Sequence, residues 1–340
     1  MIARLRVVSN WRAWLRRLLL AAPLAGCTGL PVYNPVLPPL PAVALQADEV
    51  ITMPDGGRIP VREWLPNGRP RAVVLALHGF NDSRDAWELP GPVFAKAGIA
   101  LYAPDQRGFG AAPLRGRWPG TKLLEDDAAI LLRTLRARYP NLPVYAMGES
   151  MGGAVLMGLA TRPHAPPVAG WILLSPAVWG RQQMGILLSS GLWLVSSVAP
   201  GLSVTGGEVK LKVVASDNRE ALLRLARDPL TIRRTRFDAL RGLADLMDDA
   251  QAAAPRLPPN TLALYGEKDT IVPVEAASRA WRNMPAAVRR ALYPSGYHLL
   301  MRDKGRAAVI ADVIAWITDQ NAPLPSGADL WAKLWLAWRS

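Results

Sequence analysis

Val144-Tyr145-Ala146-Met147-Gly148-Glu149-Ser150-Met151-Gly152-Gly153 runs from an apolar strand pattern, through G-x-S-x-G, into a helix-forming stretch. That strand–turn–helix setting is what the motif needs to lift a serine above a sheet on a sharp elbow. The turn strains the serine's backbone, and side chains two residues to either side would clash. Gly148 and Gly152 stand at those two places. The helix beginning at Met151 aims its N-terminus at Ser150, where it favours negative charge. Ser150 is therefore the candidate nucleophile.

Outward from the elbow, from about residue 49, short apolar runs alternate with amphipathic stretches, the pattern of a mostly parallel sheet with helices on both faces. Residues 50–53 and 58–64 flank Asp55-Gly56-Gly57 and predict an opening hairpin. Buried strands are predicted at 72–77, 99–103, 144–147, 170–174, 261–265 and 290–293, and helices at 85–97, 122–138, 151–161, 274–283 and 304–318. Between about residues 176 and 255 the alternation gives way to a helical insert, which predicts a lid over the sheet's C-terminal edge, where such sheets bind ligands.

A serine nucleophile needs a base, and the chain has 3 histidines. His298 follows a strand in Pro294-Ser295-Gly296-Tyr297-His298, at the edge where Ser150 should sit. His78, in Leu77-His78-Gly79-Phe80, is better placed to contribute backbone than ring, because the loop after that strand supplies an oxyanion donor. His164 lies beyond the elbow helix and reads as solvated. The carboxylate that orients the base should fall between serine and histidine. Asp269 does, in Gly266-Glu267-Lys268-Asp269-Thr270, with Glu267 as its local competitor. Asp105, in Asp105-Gln106-Arg107-Gly108-Phe109-Gly110, precedes the serine and is expected to pair with Arg107.

Together these stretches resemble the α/β-hydrolase fold, and more narrowly the monoacylglycerol lipase and lysophospholipase-like serine hydrolases. The resemblance implies Ser150 as nucleophile, His298 as general base and acid, Asp269 orienting it, and oxyanion donors at the backbone N–H groups of Phe80 and Met151. It implies acyl ester hydrolysis with no metal and no cofactor. Two positions depart from the family: Glu149 stands where many relatives carry histidine, and Asn81-Asp82-Ser83 where many carry histidine or glutamate. Both positions bear on the acyl-glycerol preference. A thioesterase, an esterase of small non-lipid esters or a cofactor-free haloperoxidase would use the same three residues. A catalytically silent envelope-binding protein could keep the fold without them. Serine at the nucleophile position argues against a dehalogenase.

The N-terminus bears on location. Residues 1–26 hold Arg4, Arg6, Arg12, Arg16 and Arg17, no acid, and an apolar run too short to span a bilayer. The run ends in Leu24-Ala25-Gly26-Cys27, which resembles the lipobox of bacterial lipoproteins. That likeness implies lipidation at Cys27, an anchored protein in the cell envelope and, from Thr28 rather than aspartate, the periplasmic face of the outer membrane. Prolines through residues 27–48 suit a tether, leaving 49–320 for the hydrolase domain and 321–340 for a tryptophan-rich amphipathic tail.

Composition narrows the remaining classes. The 340 residues are half hydrophobic, which excludes a disordered chain, and 1 cysteine excludes a disulfide framework or a cysteine zinc cage. The net charge of +13 sits partly in the leader, and no nucleic-acid motif accompanies it. In the insert, Arg224, Arg227, Arg233, Arg234, Arg236 and Arg241 read as a basic face for anionic head groups or as a solvated helix surface. Trp331, Leu334, Trp335 and Trp338 read as one helical face, for a bilayer interface or the catalytic body.

Overall fold

The computed structural model describes residues 37–206, 208 and 213–339. Cys27, the leader and the first part of the tether lie outside the described residues. Leu37 packs against the core, and a short helix, α1 (Ala42–Leu45), offers the Ala44 carbonyl to Arg84 Nη2, which also takes the Gln46 carbonyl. The later part of the proline-rich stretch is thus docked on the body.

Strands β1 (Glu49–Thr52) and β2 (Arg58–Trp64) form the expected hairpin. They extend a sheet of eight strands completed by β3 (Ala72–Leu77), β4 (Ile99–Pro104), β5 (Val144–Glu149), β6 (Gly170–Leu174), β9 (Thr261–Gly266) and β10 (Arg289–Tyr293), in the order β1-β2-β4-β3-β5-β6-β9-β10. From β4 to β10 every pairing is parallel. A two-stranded ribbon, β7 (Ser203–Val204) with β8 (Thr235–Arg236), lies in the insert. Both faces of the large sheet are buried, which is why its strands read as continuous apolar runs. In β3, Val73, Leu75 and Leu77 face one core cluster, while Ala72, Val74 and Ala76 face the other.

Helices cover both faces. The stretch expected to be one helix over 85–97 is instead a 3-10 turn at Arg84–Trp87 followed by α2 (Gly91–Lys96). Pro90 lies between them as the N-cap of α2, and lacking an N–H it cannot continue a helix from the preceding turn. Then come α3 (Thr121–Arg138), α4 (Met151–Ala160), α5 (Arg181–Met184), α6 (Ile186–Val198), α7 (Arg219–Arg227), α8 (Phe237–Ala253), α9 (Val274–Asn283), α10 (Arg306–Thr318) and α11 (Ala328–Trp338). The stretch expected as an insert over about residues 176–255 ends in α8, which packs on the main body. Ala244, Leu246, Met247, Ala250 and Ala253 of α8 join the main core beside α4, so α8 is a layer helix and the cap proper precedes it. Among the described residues, no helix is long and apolar enough to cross a membrane.

The tail also divides. Ala328, Ala332 and Trp335 form the inner stripe of α11, and Trp335 stacks edgewise on Trp281 with centroids 5.4 Å apart. Trp331, Leu334 and Trp338 point outward, so the four residues do not share one environment. α11 lies along β10, covering an otherwise open sheet edge.

Candidate active site

β3 and β5 are adjacent although β4 separates them in sequence, so the order in which strands are added to the sheet reverses there and opens a crevice at their C-terminal ends. Ser150 stands in that crevice. Its φ of 54° and ψ of −114° are strained for a side chain of its type, and its N–H is held by the Leu174 carbonyl at 2.9 Å. A Cβ on Gly148 would come within 2.6 Å of Gly153 N, and one on Gly152 within 2.7 Å of the Leu77 carbonyl carbon. Backbone has nowhere to retreat, so both glycines are needed. Across the crevice, a Cβ on Gly79 would lie 3.4 Å from Ser150 Cβ, which sets the Gly79-Phe80 turn against the serine. Neither the Phe80 nor the Met151 backbone N–H donates to an acceptor among the described residues.

Loops after β9 and β10 bring in Asp269 and His298. His298 Nδ1 lies 2.7 Å from Asp269 Oδ2, and both residues are buried. Asp269 Oδ1 accepts from the Ile271 and Val272 backbone at 2.8 and 2.9 Å, which fixes the carboxylate's plane. Burial pushes the imidazole's pKa down. The Asp269 carboxylate, by charge and hydrogen bond, and Glu149 beyond it more than offset this, and the net shift is upward. Ser150 Oγ makes no hydrogen bond to a described residue.

The other histidines go elsewhere. His78 is buried, with Nδ1 2.7 Å from the Gly79 carbonyl and Nε2 accepting from Gln106 N at 3.0 Å, so its ring shapes the turn. His164 is exposed, as is Glu267, the competitor of Asp269. Asp105 does not pair with Arg107: it is buried against the Arg84 guanidinium and accepts from the Arg84 and Ala111 backbone, while Arg107 pairs with Asp127 and Asp55. Arg107's side chain extends away from its neighbour in sequence toward α3.

One buried group was invisible in the sequence pattern. Arg302, four residues after His298, donates from Nη2 to Asp82 and, at 3.2 Å, to Glu149. Burial pushes Glu149's carboxyl up and Arg302 offsets part of that, leaving the net shift upward. Beside it, Asp303 accepts from Tyr297 N at 2.7 Å and Ser216 Oγ at 2.6 Å, and burial lifts its pKa to about 6. In the sequence only Glu149 and Asp82, which read as departures from the resembled family, pointed to these positions.

The cap is tied to the same loops. Ile232 N donates to the Asn81 carbonyl at 2.9 Å, Leu299 N to the Ala215 carbonyl at 2.9 Å, and Val214 N to Thr270 Oγ1 at 2.8 Å. Its arginines are largely engaged: Arg224 with Glu220, Arg233 with the Ala226 carbonyl, Arg234 with Ser203 and Glu208, Arg236 with Asp238, and Arg241 with Ser197. In contrast α6 carries Ile186, Leu187, Leu188, Trp193, Leu194 and Val198 exposed.

The Hydrolase_4 family model, described as serine aminopeptidase, S33, matches residues 68–305. A monoacylglycerol lipase of Mycolicibacterium smegmatis is 28% identical over 270 residues, covering 77% of this chain and 93% of that protein. Human monoglyceride lipase is 24% identical over 79% of this chain and 89% of its own length. The crystal structure of Paleococcus ferrophilus monoacylglycerol lipase superposes with a TM-score of 0.64 at 21% identity, over 77% of this chain and 99% of that one.

Proposed function

We propose that the chain, which belongs to the Hydrolase_4 family (serine aminopeptidase, S33), hydrolyses an acyl ester lipid, a monoacylglycerol or a lysophospholipid. Its kinship with the monoacylglycerol lipases makes it a carboxylic ester hydrolase. The observation that carries the finer reading is the buried 2.7 Å contact of His298 Nδ1 with Asp269, opening onto the crevice of a strained Ser150.

In this reading Ser150 Oγ attacks the ester carbonyl and its proton passes to His298 Nε2. The Ser150–His298 hydrogen bond that this needs forms when substrate fills the crevice. Asp269 holds the imidazole in the tautomer that accepts and stabilises the imidazolium. The carbonyl oxygen, now an oxyanion, takes hydrogen bonds from the free Phe80 and Met151 N–H groups. The tetrahedral intermediate collapses, the C–O bond to the alcohol breaks, and His298 returns the proton to the departing oxygen. Water then adds to the Ser150 ester by the same route, releasing the fatty acid and restoring the hydroxyl. No step calls on a metal or a cofactor. The exposed apolar side of α6 is the surface that meets the acyl chain or the lipid layer holding it.

Cys27 is the lipid anchor in this reading, holding the enzyme at the periplasmic face of the outer membrane. Labelling with a radioactive fatty acid tests that part: wild type takes up label and Cys27→Ala does not, and equal labelling rejects the anchor. For the chemistry, Ser150→Ala should lose activity on a short-chain nitrophenyl ester by about 10⁶-fold while keeping its melting temperature, because members of such a catalytic unit fail together. A fluorophosphonate probe should label wild type at Ser150. Activity retained in the alanine variant rejects the nucleophile, and hydrolysis of aminoacyl anilides in preference to monoacylglycerols rejects the lipid substrate.

A further inference from the structure

Three loops that carry the proposed chemistry meet on a guanidinium that takes no part in it. Arg302 is 5% exposed, and its Nη2 reaches Asp82, two residues beyond Phe80, and Glu149, the residue before Ser150. Its own backbone is fixed: Arg302 N donates to the Leu299 carbonyl at 2.8 Å, and its carbonyl accepts from Asn218 Nδ2 at 2.9 Å. Glu149 is 2% and Asp82 5% exposed, so two carboxylates share one cation almost out of water. As packing this is a costly choice, since apolar side chains of the same volume stabilise a core as well or better. Its yield is geometric. The loop bearing the oxyanion donor, the elbow and the loop bearing the base are held by one guanidinium nitrogen, Nη2.

We infer that Arg302 is a positioning residue, which locks these three loops in register and, with Glu149, sets the electrostatic field at His298. The inference rests on the reading of Ser150, Asp269 and His298 as the working triad.

The charged groups that face the imidazole are Asp269 from the β9 loop, Glu149 from the end of β5 and Arg302 from its own loop. The two carboxylates favour its protonated form and the guanidinium opposes it. Free, neutral His298 is what abstracts the serine proton, so the acid limb of the pH profile of kcat/KM follows its protonation. Removing the Arg302 charge moves that limb to higher pH, and removing the Glu149 charge moves it to lower pH. A role confined to holding the fold together would move neither.

The test uses the full chain in detergent, with a short-chain nitrophenyl ester assayed across the neutral range and fluorophosphonate labelling of Ser150 alongside. Arg302→Met should lower kcat by about 10²-fold, the scale of a small misplacement of reacting groups, and shift the acid limb upward. Arg302→Lys keeps the charge but not the guanidinium's rigid plane and reach, so it should leave the limb near its wild-type position while kcat still falls. Glu149→Gln, nearly isosteric, should shift the limb downward. If Arg302→Met does not fold, the lysine and glutamine variants decide alone. A folded, labelled Arg302→Met or Glu149→Gln whose limb stays in place, or the two limbs moving in the same direction, overturns the inference, as does wild-type kcat in Arg302→Lys. Those results leave the triad standing, whereas activity in Ser150→Ala removes the triad itself.

Discussion

Around Ser150 the side chains that water favours are buried and paired, whereas on α6 the side chains that water rejects stand exposed. Asp269 meets His298, Asp105 meets Arg84, and Asp82 and Glu149 meet Arg302, all inside the protein. Ile186 is 83% and Leu187 92% exposed, with Trp193 and Leu194 more than half so. Buried charges are costly unless their geometry is good, so the first region is one of fixed positions. A contiguous apolar surface in water is costly unless something covers it, so the second is one of supplied contact. The two regions are built on opposite physics.

The comparison breaks most sharply at Asp269. Asp269→Asn keeps the shape but reverses the hydrogen bond, favouring the wrong tautomer of His298. The rate should fall by about 10⁴-fold, the cost such a change carries in serine hydrolases with this triad. The residual activity should have its acid limb at lower pH. The sign follows from the charges: the carboxylate favours imidazolium, and without it His298 loses its proton more readily. A variant of near wild-type rate, or a limb displaced to higher pH, would show that Asp269 does not serve His298 in this way.

Gly152 probes the same rigidity through packing. Gly152→Ala would place its Cβ within about van der Waals overlap of the Leu77 carbonyl carbon and 2.8 Å from the His78 carbonyl oxygen, both backbone. Overpacking of that kind costs about 1–3 kcal/mol. Chemical denaturation should show it as a lower midpoint with an unchanged slope, and the shift of the elbow should depress kcat at the same time. An alanine that leaves both untouched would mean the turn can yield.

The two regions also differ in how much of each the sequence revealed. The elbow was readable because its constraints are local: G-x-S-x-G between a strand and a helix leaves few conformations, and the structure realises them at Ser150. The parallel strands were readable because burial on both faces makes each a compact apolar run. His298 and Asp269 come together because each follows a strand at the same edge. Arg302 could not be found that way, since its partners are 220 and 153 residues distant and an isolated arginine has no pattern. The pairing of Asp105 with Arg84 rather than Arg107 was hidden for the same reason. α8 read as part of the insert because an amphipathic helix looks alike whether its apolar side meets a cap or the elbow helix.

The smallest effect, and the sharpest for the cap, comes from Ile186→Ser with Leu187→Ser. Both side chains are almost wholly in water, so the folded state loses little, and stability should stay within about 0.5 kcal/mol. Hydrolysis of a soluble short-chain ester should be unchanged, because neither residue touches the buried charges. On a long-chain monoacylglycerol in vesicles the outcome differs. Full burial of such a side chain is worth about 1.5–3 kcal/mol, and partial burial of two should be worth about 1.4 kcal/mol or more, a tenfold loss in apparent affinity. That loss should appear in KM and vesicle partitioning, with kcat on bound substrate retained. Equal loss on both substrates would mean that α6 supports the crevice rather than the substrate. No loss on either would mean that the exposed apolar side of α6 serves some contact other than lipid.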